Sequence, residues 1–156
     1  MHRLLIALFF MTALPGAATA AQCAIPSGGE AELQAVLQAV NANRKARGRG
    51  PLTRDATIDA AARGHACDMA AKSHLTHDGN GGPKRRIKKA GCKARLTGEA
   101  IAMGQRNAPE VVKAWMDSPP HKAILLLSKA KRVGLAVARD DTSGRLYWVF
   151  DVANGC

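Results

Sequence analysis

The sequence predicts an α+β fold, and three observations carry that prediction. Apolar residues recur at helical spacing through the first two thirds of the chain, strict alternation appears only near its C-terminus, and Gly, Pro and Asn clusters separate the segments. Helices first and an antiparallel hairpin last do not build a wound βαβ sheet. With 156 residues, 47% of them hydrophobic and 22% charged, the chain has the size and balance of one globular domain. It contains no internal repeat and no low-complexity tract.

Residues 1–20 read as a secretory signal. His2 and Arg3 form a short basic start, Leu4 to Leu14 is apolar, Pro15-Gly16 interrupts it, and Ala18-Thr19-Ala20 is a small-x-small cleavage site. Eleven residues are too few for a membrane helix, which needs about 20, and the chain has no other long apolar run. Gln22 stands before Cys23 where a lipoprotein would carry a small residue. The competing reading is a buried N-terminal helix. A secreted or periplasmic protein is expected, with residues 21–29 as a spacer and 30–156 as a single domain.

Glu30 to Arg47 reads as a helix, because Leu33, Val36, Leu37 and Val40 share one face and Glu30 and Glu32 suit the positive end of the macrodipole. Gly48 and Gly50-Pro51 stop it. Asp55 is the N-cap of a second helix to about Ser73, whose many alanines imply close approach to another element. Asp78 to Pro83 reads as a loop, Lys84 to Ala90 as a short helix ended by Gly91, and Leu96 to Met103 as a strand. Asn107 caps a third helix with Pro109 in its first turn. Ser118-Pro119-Pro120 then breaks the chain before a short helix from His121 to Leu127. Val133, Leu135 and Val137 alternate on one strand, Leu146, Trp148, Phe150 and Val152 on the next, and Asp140 to Gly144 supply the turn.

Cys23, Cys67, Cys92 and Cys156 all follow the cleavage site. An even number in an exported chain implies two disulfides, each worth about 3–4 kcal/mol through the unfolded state. Three pairings are open and the sequence does not choose among them. The favoured one joins Cys67 to Cys92, pinning a basic loop to a helix, and Cys23 to Cys156, tying the mature termini together. The wide spacings, with no C-x-x-C pair, disfavour a structural Cys/His zinc site.

His65, His74, His77 and His121 are the side chains that both titrate near neutral pH and ligate metals. The H-E-x-x-H and G-x-S-x-G patterns are absent, as are phosphate-loop and dinucleotide fingerprints. His65, on the apolar face of its helix, reads as a hydrogen-bonded core residue, His74 as exposed, and Trp115 and Trp148 as core anchors.

In order along the chain stand Asn43-Arg44, Pro51-Leu52, the Ala-rich helix with His65, then Leu75-Thr76-His77-Asp78-Gly79 and Gly98-Glu99-Ala100-Ile101. Trp115-Met116-Asp117-Ser118-Pro119-Pro120-His121-Lys122 and Tyr147-Trp148-Val149-Phe150 follow. From Val40 to Phe150 this series resembles the CAP superfamily (cysteine-rich secretory, antigen-5 and pathogenesis-related domains) in its compact bacterial form. The resemblance implies a three-layer α-β-α sandwich with a central antiparallel sheet. It also implies a cleft lined by two histidines and one or two acids, here His77, Glu99 and His121, which in several members binds a divalent metal. Other members carry sterols or fatty acids in apolar grooves, so an apolar small molecule is a further candidate ligand. Family membership fixes the fold better than the activity.

Several positions depart from the pattern. Ala100 replaces the family Asn, Pro120 replaces the usual Gly, and Asp117 stands where many eukaryotic members have a second Glu, so that it serves only if turned inward. The ligand set expected for Zn²⁺ or another divalent metal is therefore His77, Glu99 and His121, which would leave one position for water. The alternatives are a metal-assisted hydrolase acting on peptide or envelope polymer, and a structural cluster in which the three residues hydrogen-bond one another.

Lys84, Arg85, Arg86, Lys88, Lys89, Lys93 and Arg95 put seven cations into twelve residues, in a chain of net charge +11. Arg44, Lys45, Arg47 and Arg49 form a second cluster, and Lys129, Lys131 and Arg132 a third. Such density favours anionic lipid or envelope polysaccharide as partner, or else a solvated basic surface. Six aromatics in all leave little for base stacking, so specific nucleic-acid recognition is not expected. A monomer is expected.

Overall fold

The structure, a computed structural model, describes residues 23–156; the expected signal segment lies outside them. The described residues form α1 (Gly29–Lys45), β1 (Thr53–Arg54), α2 (Ala56–Ala71), α3 (Gly82–Lys89), β2 (Thr97–Met103), α4 (Ala108–Asp117), α5 (Pro119–Leu125), β3 (Arg132–Arg139) and β4 (Leu146–Ala153). A 3-10 turn at Gly79–Gly81 precedes α3. The strands lie in the order β1-β3-β4-β2, antiparallel except for β1, which runs parallel to β3. Helices cover both faces, which makes the expected α-β-α sandwich.

The two faces are built differently. Val133, Leu135, Val137, Trp148, Phe150 and Val152 point toward α1, α4 and α5, where Leu33, Val36, Val40, Val111, Trp115 and Leu125 meet them. The Trp115 and Phe150 rings pack with centroids 5.7 Å apart, and the indole nitrogens of Trp115 and Trp148 donate to the carbonyls of Ile101 and Gln105. The opposite face of β3 offers Gly134, Ala136 and Ala138, and α2 lies directly on them with Ala62, Ala66 and Ala70. A Cβ at Gly134 would stand 2.3 Å from the Ile58 carbonyl carbon, so only glycine admits the helix there. This is the close approach that the alanines of α2 imply.

Local chemistry sets the element ends. Asp55 Oδ1 accepts from the amides of Thr57 and Ile58, and Asn107 Oδ1 from that of Glu110, so both expected N-caps form. Where β1 ends, Asp59 Oδ1 accepts from the Leu135 amide at 2.8 Å and continues the edge of β3. Two segments differ from expectation. Gly82-Pro83 opens α3 instead of belonging to the loop, and Pro119-Pro120 begins α5 instead of breaking the chain before it. Proline suits the first helical turn, where its missing N–H has no partner to lose.

The disulfides are Cys23–Cys67 and Cys92–Cys156, which corrects the favoured pairing. Cys92 packs with Ile58 and Ile87 near the start of α2, whereas Cys67 lies nine residues beyond Ile58. That separation is about 13 Å of helix, more than a disulfide spans. Arg44 is likewise not a surface cation: it is fully buried and donates to the carbonyls of Gly50, Leu125 and Leu127. Among the described residues no helix is long and apolar enough to cross a membrane.

Candidate functional site

His77 stands on the loop that follows α2, and the loop is held from beneath. His65 Nε2 bonds the Thr76 carbonyl at 2.8 Å, while Arg86 Nη1, reaching from α3, donates to the carbonyls of His77 at 2.9 Å and Gly79 at 2.5 Å. His65 is wholly buried, as the sequence reading expects of a core histidine. Burial is the main cause holding its pKa below the ordinary histidine value, so at neutral pH the ring is uncharged.

Glu99 projects from β2 toward the α2–α3 layer. Its Oε1 is 2.7 Å from His77 Nδ1 and its Oε2 pairs with Arg86 Nη2; the Glu99 side chain is 1% exposed, that of His77 53%. Glu99 therefore stands behind His77, with both oxygens engaged. The bond directs the Nδ1 proton of a neutral His77 ring at the carboxylate and leaves the Nε2 lone pair outermost.

His121 lies in the first turn of α5, which approaches β2 because residue 98 is glycine; a Cβ there would meet Ile124 at 3.0 Å. Its Nδ1 is 2.9 Å from Ser118 Oγ. Burial, and then the charge of His77, hold the His121 pKa below its ordinary value, so the two imidazoles feel each other. Asp117 does not join them. It is exposed, pairs with Lys113 one turn back on α4, and lines an open groove with Met116 and Lys122.

Two residues of the cluster escape a sequence reading. Arg86, counted among the surface cations, is 6% exposed and is the counter-ion of Glu99. Asp151 lies opposite Glu99 in the β2–β4 register, fully buried, with no hydrogen-bond partner on either oxygen. Burial first, and then the negative charge of Glu99, hold its carboxyl well above the usual carboxylate range. The available signal was an acid at position 151 in a strand whose other inward face reads Tyr147, Val149 and Ala153. For Arg86 there was none, since Lys88 flanks Ile87, the apolar residue of the basic helix, just as closely and is exposed.

Among the described residues, no three His, Cys, Asp or Glu side chains converge as a metal-coordinating group. His77, Glu99 and His121 do not form such a group, and Glu99, engaged by both His77 and Arg86, stands behind His77 as its hydrogen-bond partner.

The α-β-α sandwich thus carries a loop histidine backed by a buried Glu–Arg pair and a second histidine in the first turn of α5. The sequence pattern of the Cysteine-rich secretory protein family (CAP) matches residues 37–152, and the chain belongs to that family. The uncharacterized protein YkwD of Bacillus subtilis is 35% identical over 112 residues, 70% of this chain and 44% of that protein. The chain thus spans less than half the length of that relative. An outer surface protein of Borrelia burgdorferi superposes with a TM-score of 0.75 at 23% identity, covering 81% of this chain and 95% of that one. The structure of NaASP2 with Zn²⁺ superposes with a TM-score of 0.60 at 15% identity, covering 87% and 83%.

Proposed function

We propose that this protein is an exported CAP-domain binding protein whose His77 and His121 imidazoles hold a divalent cation, Zn²⁺ in the first instance. The observation that carries the reading is the 2.7 Å contact between His77 Nδ1 and a Glu99 that Arg86 in turn holds. A carboxylate on the far nitrogen fixes the tautomer of a metal-binding histidine and raises its basicity. The zinc in the structure of NaASP2, a protein of the same fold, supports a cation on this scaffold. Bound zinc would supply a Lewis acid with positions open to water or to oxygen atoms of a small ligand. The role of this chain is to orient His77 through Glu99 and to keep His121 uncharged by burial. Glu99 is too deeply covered to take a proton from a substrate, which favours binding over turnover. Export accords with two disulfides, which persist in oxidising compartments, and with the signal-like segment of residues 1–20.

Calorimetric titration of the oxidised protein with Zn²⁺ tests this. Near-stoichiometric binding that is lost in the His77→Ala/His121→Ala double variant is the expected result. Equal heats in the two proteins, or none in either, would remove the cation from the reading.

A further inference from the structure

The exposed cations that follow the His77 loop differ from the other surface charges. Lys84, Arg85, Lys88 and Lys89 occupy positions i, i+1, i+4 and i+5 of α3, all exposed, and exposed Lys93 and Arg95 extend the row. Lys84 with Lys88, and Arg85 with Lys89, are like charges one turn apart, a repulsive arrangement on a helix. The first turn of α3 has no acid, where the helix dipole favours one. On and beside α2 and α4, by contrast, charges stand in opposite pairs, as in Arg106–Glu110, Lys113–Asp117 and Lys72–Asp68. Lys84 and Arg85, at the positive end of the dipole, are charged against the local stability of their own helix.

Beside it a groove of about 400 Å³ runs between α2 and α3, lined by Ala60, Ala61, Gly64, His65, Arg86 and Lys89. His65 and Arg86, at 0% and 6% exposure, form its floor with ring and guanidinium nitrogens closed to solvent, so a guest in the groove meets Ala60, Ala61, Gly64 and Lys89.

We infer that the groove and its row of cations bind an anionic polysaccharide. The polymer lies along the groove, and its acidic groups lie against Lys84, Arg85, Lys88, Lys89, Lys93 and Arg95. A bilayer suits the surface less well, because the row carries no apolar side chain to insert; among the described residues the exposed large hydrophobic is Leu75, outside α3. The inference goes beyond the cation reading and uses neither His77 nor His121.

Binding of fluorescent polygalacturonate to the oxidised protein tests it. Affinity should fall at least about tenfold between about 50 and 200 mM salt, as multiple ion contacts require. Lys84→Gln/Lys88→Gln/Lys89→Gln should weaken binding about tenfold at fixed salt, while Lys45→Gln/Arg49→Gln/Lys129→Gln, which removes equal charge elsewhere, should change it less than about twofold. Gly64→Leu fills the groove without altering charge; a Cβ there meets nothing within 4 Å, so the helix accepts it, and binding should also weaken about tenfold. A thermal melt of each variant verifies folding. Equal losses in the two triple variants, or unchanged binding in Gly64→Leu, would overturn the inference. No binding at about 50 mM salt, or equal affinity for phosphatidylglycerol vesicles or double-stranded DNA, would do the same.

Discussion

The two faces of the sheet solve the same burial problem with different chemistry. The face under α1, α4 and α5 is filled by large apolar side chains, with Trp115, Trp148, Phe150 and Leu135 all at 2% exposure or less. The face under α2 and α3 is lined by small residues, so the helix comes close, and it houses His65, Arg86, Glu99 and Asp151. Close packing brings these groups together out of water, and Arg86 pairs with Glu99 among them. One layer therefore supplies most of the apolar stabilisation and the other holds the site in place. A cavity on the first should cost stability alone, whereas a lost charge on the second should cost stability and binding together.

The largest expected effects test that division directly. Trp148→Ala should cost about 3–5 kcal/mol in urea denaturation, the usual range for an aromatic cavity, with zinc affinity within about twofold of the parent. Arg86→Met should cost a similar 3–5 kcal/mol, roughly, because it leaves Glu99 buried without its counter-ion. It should also weaken zinc binding at least about tenfold, since the carboxylate behind His77 is no longer held. Equal zinc losses in the two variants would mean that the layers are not separable.

The next effect concerns distance instead of charge. Gly134→Ala adds one methyl group where the Ile58 carbonyl carbon is 2.3 Å away, so β3 and α2 must part. A loss of about 1–3 kcal/mol is expected from overpacking. Because the Glu99 cluster hangs on the same α2–sheet spacing, a lowered zinc affinity should accompany it. Full stability in this variant would show that the small residues of β3 are incidental.

The same contrast explains what was legible in the sequence. The large-residue face announces itself through alternation on β3 and β4 and through the helical spacing of Leu33, Val36 and Val40, so its elements, its caps and its Trp anchors could be read directly. His77, Glu99 and His121 were reachable only through family resemblance, since His77 and Glu99 are 22 residues apart and nothing local joins them. Arg86 was hidden because, within a run of cations, composition gives no sign of which one turns inward. The disulfide pairing was hidden for a geometric reason: which end of α2 faces Cys92 depends on how α3 docks, a long-range fact.

The smallest expected effect probes the polar layer from within. Asp151 and Glu99 face each other across β2 and β4 with Arg86 as the cation paired to Glu99, so the cluster is consistent with one proton retained on Asp151. Asp151→Asn replaces a neutral acid by a neutral amide of the same shape and should change stability at pH 5 by less than about 1 kcal/mol. An Asp151 ionised and paired in the core would instead lose several kcal/mol on this change. The pH dependence carries the sign. The folded state holds the Asp151 proton above the pH at which the unfolded chain releases it, so folding is favoured at low pH and loses stability as pH rises through the folded pKa. Over that interval the parent should lose up to about 1.4 kcal/mol per pH unit relative to Asp151→Asn. Denaturation of both proteins across pH 4 to 8 measures the difference. A constant gap between them would show that Asp151 ionises in the core as it does in the unfolded chain, and that the polar layer is balanced by some other proton.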